Sequence, residues 1–122
     1  MDNILIVDDE DQMRKYMFEV LRGEGYAVSE ASDGKKAIRQ IQRKAFKLII
    51  SDVVVPVMDG FELIREIRKR FPTLKILAIS GAGYNTLDVY LDLAMGYGAD
   101  ATLLKPFGSN LFIEKVASLL KT

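Results

Sequence analysis

Five times along the chain a short apolar run rich in Val, Ile and Leu stops at or near a polar residue, then gives way to apolar residues spaced along one helix face. Few folds accommodate that alternation. The first run, 4–7, is unbroken, as suits a strand buried on both faces, and it stops at Asp8-Asp9. A helical stripe at Met13, Tyr16, Met17, Val20 and Leu21 follows and is closed by Gly23 and Gly25. Residues 26–31 read as a second strand, and the turn residues Ser32-Asp33-Gly34 precede a short helix with Ala37, Ile38 and Ile41 inward. The third strand, 46–51, ends at Asp52. A loop with Pro56 and Asp59-Gly60 then enters a helix carrying Leu63, Ile64, Ile67 and Phe71, stopped by Pro72. The fourth strand, 75–79, ends at Ser80, and the loop beginning Gly81-Ala82-Gly83 leads to a helix over 86–95, ended by Gly96 and Gly98. The fifth, 101–104, ends at Lys105, after which Ser109 or Asn110 caps a last helix with Phe112, Val116, Leu119 and Leu120 inward.

Strand–helix units in series predict an α/β fold with a parallel sheet, because right-handed crossovers lay each helix back across it. With 122 residues the chain has room for one domain, 1–122, and falls well short of the roughly 250 residues of a closed eight-unit barrel. All strand C-termini of a parallel sheet share one edge, where ligands of open α/β sheets bind. Asp8-Asp9, Asp52, Ser80 and Lys105 are therefore expected at a single site.

Composition limits what that site can do. Without cysteine or histidine there is no disulfide, no thiolate or imidazole metal ligand and no Cys-His or Ser-His nucleophile pair. Balanced charge, 17 Lys+Arg against 17 Asp+Glu, gives no reason to expect nucleic-acid binding. No apolar run is long enough to span a bilayer, and a cytoplasmic location is the expectation. Carboxylates converging without softer ligands make a hard-oxygen site suited to Mg2+, which is held by one or two carboxylates together with phosphate oxygens and water. A lysine and a hydroxyl beside them can take the remaining phosphate oxygens. The parts add up to phosphoryl transfer, with an aspartate able to act as nucleophile. Rival phosphate motifs fail: Gly81-Ala82-Gly83 follows the fourth strand and has Thr86 where a dinucleotide fingerprint needs its third glycine, and Gly34-Lys35 lacks the Walker spacing.

Asp8-Asp9, Asp52 with Pro56, Met58, Asp59 and Gly60 behind it, Ser80, and Lys105-Pro106-Phe107 together resemble the receiver domain of two-component response regulators, along essentially the whole chain. The form is most similar to a stand-alone, chemotaxis-regulator-like receiver. The resemblance implies a doubly wound, flavodoxin-like (βα)5 sandwich with strand order 2-1-3-4-5. It implies that Asp52 accepts phosphate from a sensor histidine kinase or phosphotransfer protein. Asp8, Asp9, Asp52 and the backbone carbonyl of Val54 would bind Mg2+. Ser80 matches the switch hydroxyl, Lys105 the lysine that pairs with the phosphoryl group, and Lys105-Pro106 is expected to be cis. Such a domain catalyses only its own phosphorylation and dephosphorylation. Output is expected through a downstream protein, with neither direct nucleic-acid contact nor membrane insertion.

Three features depart from the family pattern. Ser80 and Lys105 lie 25 residues apart, about one helical turn more than receivers usually have, and the extra length falls within 81–98. Thr102 stands where many receivers carry a switching Tyr or Phe, while Tyr84, Tyr90 and Tyr97 fall in the lengthened segment. Val54 is apolar where a polar side chain is common. A phosphate-independent adaptor and a small Mg2+-dependent phosphatase are the alternatives, the second lacking its usual Asp-x-Asp because Val53-Val54 follow Asp52.

Overall fold

A computed structural model describes residues 3–53, 60–81 and 87–121. Strands and helices alternate as β1 (Asn3–Val7), α1 (Asp11–Gly23), β2 (Ala27–Ala31), α2 (Gly34–Arg43), β3 (Leu48–Asp52), α3 (Gly60–Arg70), β4 (Lys75–Ser80), α4 (Leu87–Tyr97), β5 (Ala101–Leu104) and α5 (Ser109–Lys121). The five strands form one sheet in the order β2-β1-β3-β4-β5, and every neighbouring pair is parallel. This is the flavodoxin-like order, with β1 and β3 as the neighbours between which the winding reverses.

Period-two side-chain alternation sorts the strands' apolar residues into two cores. Ile4, Ile6, Ile50, Leu77 and Ile79 pack against Met17 and Leu21 of α1 and Phe112 and Val116 of α5. Leu5, Val7, Ile49 and Ala78 face the other way, onto Ala37 and Ile41 of α2, Leu63, Ile64 and Ile67 of α3, and Ala94 of α4. The unbroken apolar runs of β1 and β3 follow from this arrangement, since both faces are covered. Each fully buried Leu or Ile contributes about 1.5–3 kcal/mol over its exposed state, so the central strands anchor the edge that carries the site. β2, at the sheet's margin, is correspondingly less apolar and only partly buried.

Local signals explain most element ends. Asp33 caps α2 by accepting the Lys36 amide at 2.9 Å. Gly25 (φ 94°) and Gly98 (φ 122°) take up the left-handed conformation needed just past α1 and α4. Other ends differ from the sequence expectation. Asp52 and Ser80 are not the first residues after their strands but the last rungs within them, registered with Ile79 and Leu104 respectively. Gly96 lies inside α4, which continues to Tyr97. Ser109 is the first helical residue of α5 rather than its cap, the Gly108 carbonyl accepting the Phe112 amide. Tyr16, assigned to the inward stripe of α1, is 39% exposed, whereas the next residue, Met17, is fully buried. The apolar face of α1 is thus centred about one residue further on. Thr86, the expected start of α4, lies outside the described residues. Among those described, no helix is long and apolar enough to cross a membrane.

Candidate functional site

The C-terminal ends of β1, β3, β4 and β5 bring Asp8, Asp52, Ser80 and Lys105 to one edge, as the strand pattern requires. Lys105 is the centre of the arrangement. Its ammonium donates to Asp52 Oδ2 at 2.7 Å and to Asp8 Oδ2 at 3.2 Å, joining residues 53 and 97 positions away in sequence. All of these groups are largely withdrawn from water: Asp8 is 0% exposed, Asp52 8% and Ser80 0%. Burying two carboxylates is tolerable only because they share a cation and further donors.

Each side chain is positioned by the backbone around it. Asp8 Oδ1 accepts the Glu10 amide at 2.9 Å, and the Asp8 carbonyl accepts from Arg14 Nη1 at 2.6 Å. Arg14 is itself held by Asp11 and Glu30. Asp52 is set by the β3–β4 pairing, and the Val53 amide beyond it donates to the Ile79 carbonyl at 2.9 Å. The Lys105 amide donates to the Ser80 carbonyl at 2.9 Å, so hydroxyl and ammonium sit on directly bonded strands. Lys105–Pro106 is cis, as expected.

The charges are unequal. Burial pushes the Asp8 carboxyl above its ordinary pKa and the neighbouring Asp52 charge adds to the rise, outweighing the Glu10 amide and Lys105. Burial alone would lower the Lys105 ammonium, but its bonds to and attraction by Asp52 and Asp8 more than reverse that, and its pKa ends above the usual value. Two acids facing one lysine thus leave a residual negative charge lined by hard oxygens, a donor set that suits a hard divalent cation. Among the described residues no three acidic side chains close into a metal cage. Asp9 is exposed, and Asp8 and Asp52 are the two carboxylates that Lys105 draws together, matching the one or two with which Mg2+ is usually held beside water and phosphate oxygens. Val54, expected to offer its carbonyl, lies outside the described residues, as do Pro56, Met58 and Asp59.

Ser80 Oγ is the buried side-chain polar atom without a hydrogen-bond partner among the described residues. An unpaired buried hydroxyl is unfavourable by about 1–3 kcal/mol, and this one ends the strand whose last carbonyl is bonded to the Lys105 amide. Two glycines complete the site. A Cβ on Gly60 would overlap the Cα and carbonyl of Val53, next to Asp52, and the Gly60 amide donates to the Val53 carbonyl at 2.9 Å. A Cβ on Gly81 would come within 2.9 Å of Lys105 Cβ and 3.1 Å of its Cδ, so the bare backbone there makes room for the lysine stem. No local spacing assigns Gly81 a role beyond its loop, or Arg14 any role, because both act through contacts between distant segments. Thr102 is half-buried within β5. Tyr97 is 40% exposed and rests against Phe61, ring centroids 5.6 Å apart. Tyr84 lies outside the described residues.

Residues 4–117 match the family model described as "Response regulator receiver domain". The chain is 32% identical over 121 residues to the response regulator receiver protein CpdR of Brucella abortus, covering 98% of both. It is 34% identical to the regulatory protein VanRc of Enterococcus gallinarum over 98% of its own length but 50% of that protein, and it spans about half the length of several other curated relatives. Among solved structures, a putative response regulator from Chloroflexus aurantiacus superposes with a TM-score of 0.90 at 32% identity, covering 99% of this chain and 98% of that one.

Proposed function

The chain belongs to the response regulator receiver family of two-component systems, whose members are signalling switches rather than conventional enzymes, and from that premise we propose that Asp52 is its phosphoryl acceptor. The reading rests on one observation above the rest: a single ammonium holds the carboxylates of Asp8 and Asp52 while the Ser80 hydroxyl beside it is buried and unpaired.

In the proposed reaction an Asp52 carboxylate oxygen attacks the phosphorus of a phosphohistidine. An O–P bond forms, the N–P bond breaks, and the imidazole leaves with the electron pair and takes up a proton. Asp8 and Asp52, with Asp9 at the rim and the Val54 carbonyl, would hold Mg2+, which supplies charge neutralisation for the transferring phosphoryl oxygens. Lys105 gives up part of its bond to Asp52 and follows the new oxygens, contributing a positive charge where roughly −1.5 to −2 has been added. Ser80 turns its hydroxyl to the same group and gains the partner it lacks. Because the Ser80 carbonyl and Lys105 amide are bonded, both responses pull on β4 and β5 together. The connection between those strands, which contains α4, then biases an existing equilibrium toward the conformation read by a protein partner. The donor is a sensor histidine kinase or a phosphotransfer protein, and the setting is the cytoplasm.

Intact-mass measurement after incubation with acetyl phosphate tests the reading. Wild-type protein should gain one phosphoryl group only when Mg2+ is present, and mapping should place it on Asp52. Asp52→Asn should gain none; retained modification at another residue would remove Asp52 from the role.

A further inference from the structure

At the opposite edge of the sheet, the length of a five-residue strand or roughly 16 Å from the acidic site, the surface has the reverse character. A groove of about 510 Å³ opens between the ends of α2 and α3 and the links that follow them, with Arg43, Lys44 and Arg70 at its margins and Phe46, Phe71 and Pro72 along its floor. A second depression of about 230 Å³ adjoins it through the shared residues Phe46 and Thr73 and is bordered by Lys47 and Lys75. Neither is lined by an acidic residue. In a chain of zero net charge the two edges differ in their linings: buried acids share Lys105 on one, and cations without a lining acid border the depressions on the other.

Arg43 and Arg70 occupy the last turns of α2 and α3, where a cation offsets the helix dipole, and Arg70 is also held by Glu66 at 2.8 Å. That accounts for one cation per helix. It does not account for Lys44 and Lys75, which lie beyond the helices. Arg43 and Lys44 have no acidic partner among the described residues; Lys44 donates to Ser29 Oγ at 3.5 Å and lies over the Phe46 ring, its nitrogen 5.6 Å from the centroid. Phe46 and Phe71 are only partly buried and pack their inner sides on the core, which leaves apolar surface between exposed cations.

We propose that this paired groove docks a short acidic segment of a partner protein, one carrying an aromatic or large aliphatic residue among its carboxylates. Its chemistry selects that occupant over other anions. Five amides of these links, those of Lys44, Lys47, Phe71, Leu74 and Lys75, are already bonded to backbone carbonyls, and the apolar surface of Phe46 and Phe71 between the cations matches a side chain that a compact phosphate lacks. A long nucleic acid would meet the chain's acidic residues beyond the groove and find no net attraction. An extended peptide fits the two joined depressions, lays its apolar residue on Phe46 and Phe71, and presents carboxylates to Arg43 and Lys44. The groove lies away from Asp52, so its occupancy is independent of the phosphorylation chemistry.

The test uses the full chain and a fluorescein-labelled dodecapeptide of Asp and Glu interrupted by two Phe, followed by fluorescence anisotropy and by amide NMR shifts. Saturable binding with shifts at 41–46 and 70–74, weakening as salt rises, is expected. The double variant Arg43→Glu/Lys44→Glu should weaken binding at least tenfold, and so should replacing the peptide's acids by Asn and Gln. Replacing its Phe residues by Gly should weaken binding several-fold, while Arg70→Gln, a milder change at a paired residue, should give a smaller loss. Circular dichroism verifies that the variants are folded, and phosphoryl uptake from acetyl phosphate should be unchanged. The proposal is overturned by no saturable binding to the wild-type chain, by equal binding of the neutral peptide or the charge-reversed protein, or by shifts confined to the Asp52 edge. Competition by inorganic pyrophosphate or duplex DNA at the peptide's own affinity would overturn it too, by naming a different occupant.

Discussion

Replacing Lys105 by Met retains most of the buried stem and removes the one cation shared by Asp8 and Asp52. Stranding a buried charge by removing its partner is unfavourable by about 3–5 kcal/mol. Two features point to the lower end, about 3 kcal/mol: the Lys105 side chain is 16% exposed, so water reaches the gap, and Asp8, already above its ordinary pKa, can take a proton instead of standing charged. With about 2.1 cal/mol/K of unfolding entropy per residue, 122 residues give roughly 0.26 kcal/mol per degree, so Tm should fall by about 12 °C in metal-free buffer at pH 8. The loss has a defined pH dependence. A carboxyl whose folded pKa lies above its unfolded value of 3.8 makes the native state hold more protons, and stability then falls as pH rises through that window. Lys105 lowers the Asp8 pKa, so its removal extends the window upward and widens the gap between variant and wild type on the alkaline side. The contribution of Lys105 itself, whose folded pKa is above 10.5, is complete below that value and lost as pH climbs past the folded one. Thermal melts by circular dichroism at pH 4 and pH 8 measure both effects. Adding Asp8→Asn to Lys105→Met should restore a large part of the loss, since the two positions are coupled. A fall in Tm below about 3 °C at pH 8, or an equal fall at pH 4, would refute the account of the buried pair.

Ser80→Ala removes an unpaired buried hydroxyl, so its melting temperature should stay level or rise slightly, while the amide shifts caused by phosphorylation shrink around β4 and β5; a marked loss of stability would mean the hydroxyl is already bonded. Gly60→Ala drives a methyl into the Val53 backbone and should destabilise the chain by about 1–3 kcal/mol by denaturant titration, slowing phosphoryl uptake by displacing Asp52. Gly81→Val crowds the lysine stem; phosphoryl uptake should survive at reduced rate, and a crystal structure of the variant should show the Lys105 ammonium displaced from Asp52.

The architecture was legible because its signal is local. Runs such as Leu48-Ile49-Ile50 are needed for a strand covered on both faces, and the polar residue ending each run marked the shared edge without any knowledge of strand order. Hydrophobic pattern loses its meaning where side chains turn polar while backbone pairing continues, so the apolar runs stop short of Asp52 and Ser80, which still pair within their strands. Asp8 and Asp9 look equivalent as adjacent acids in the sequence, but burial separates them: Asp8 is buried and bonded to Lys105, while Asp9 is exposed. The contacts of Arg14 with the Asp8 carbonyl and of Gly81 with the lysine stem depend on the folded path of remote segments, and no spacing in the chain announces them.

One guanidinium governs where the connection between β4 and β5 can give way. Arg68 of α3 donates to the carbonyls of Pro72, Leu74 and Gly98 and pairs with Asp100, whose carboxylate in turn accepts the Ile76 amide. The entry to β4 and the turn after α4 are thereby riveted to the same helix. Added length in this connection is therefore not taken up at the Gly98 end, which the guanidinium holds. Losing that guanidinium would release both anchor points at once, two attachments undone by one side chain.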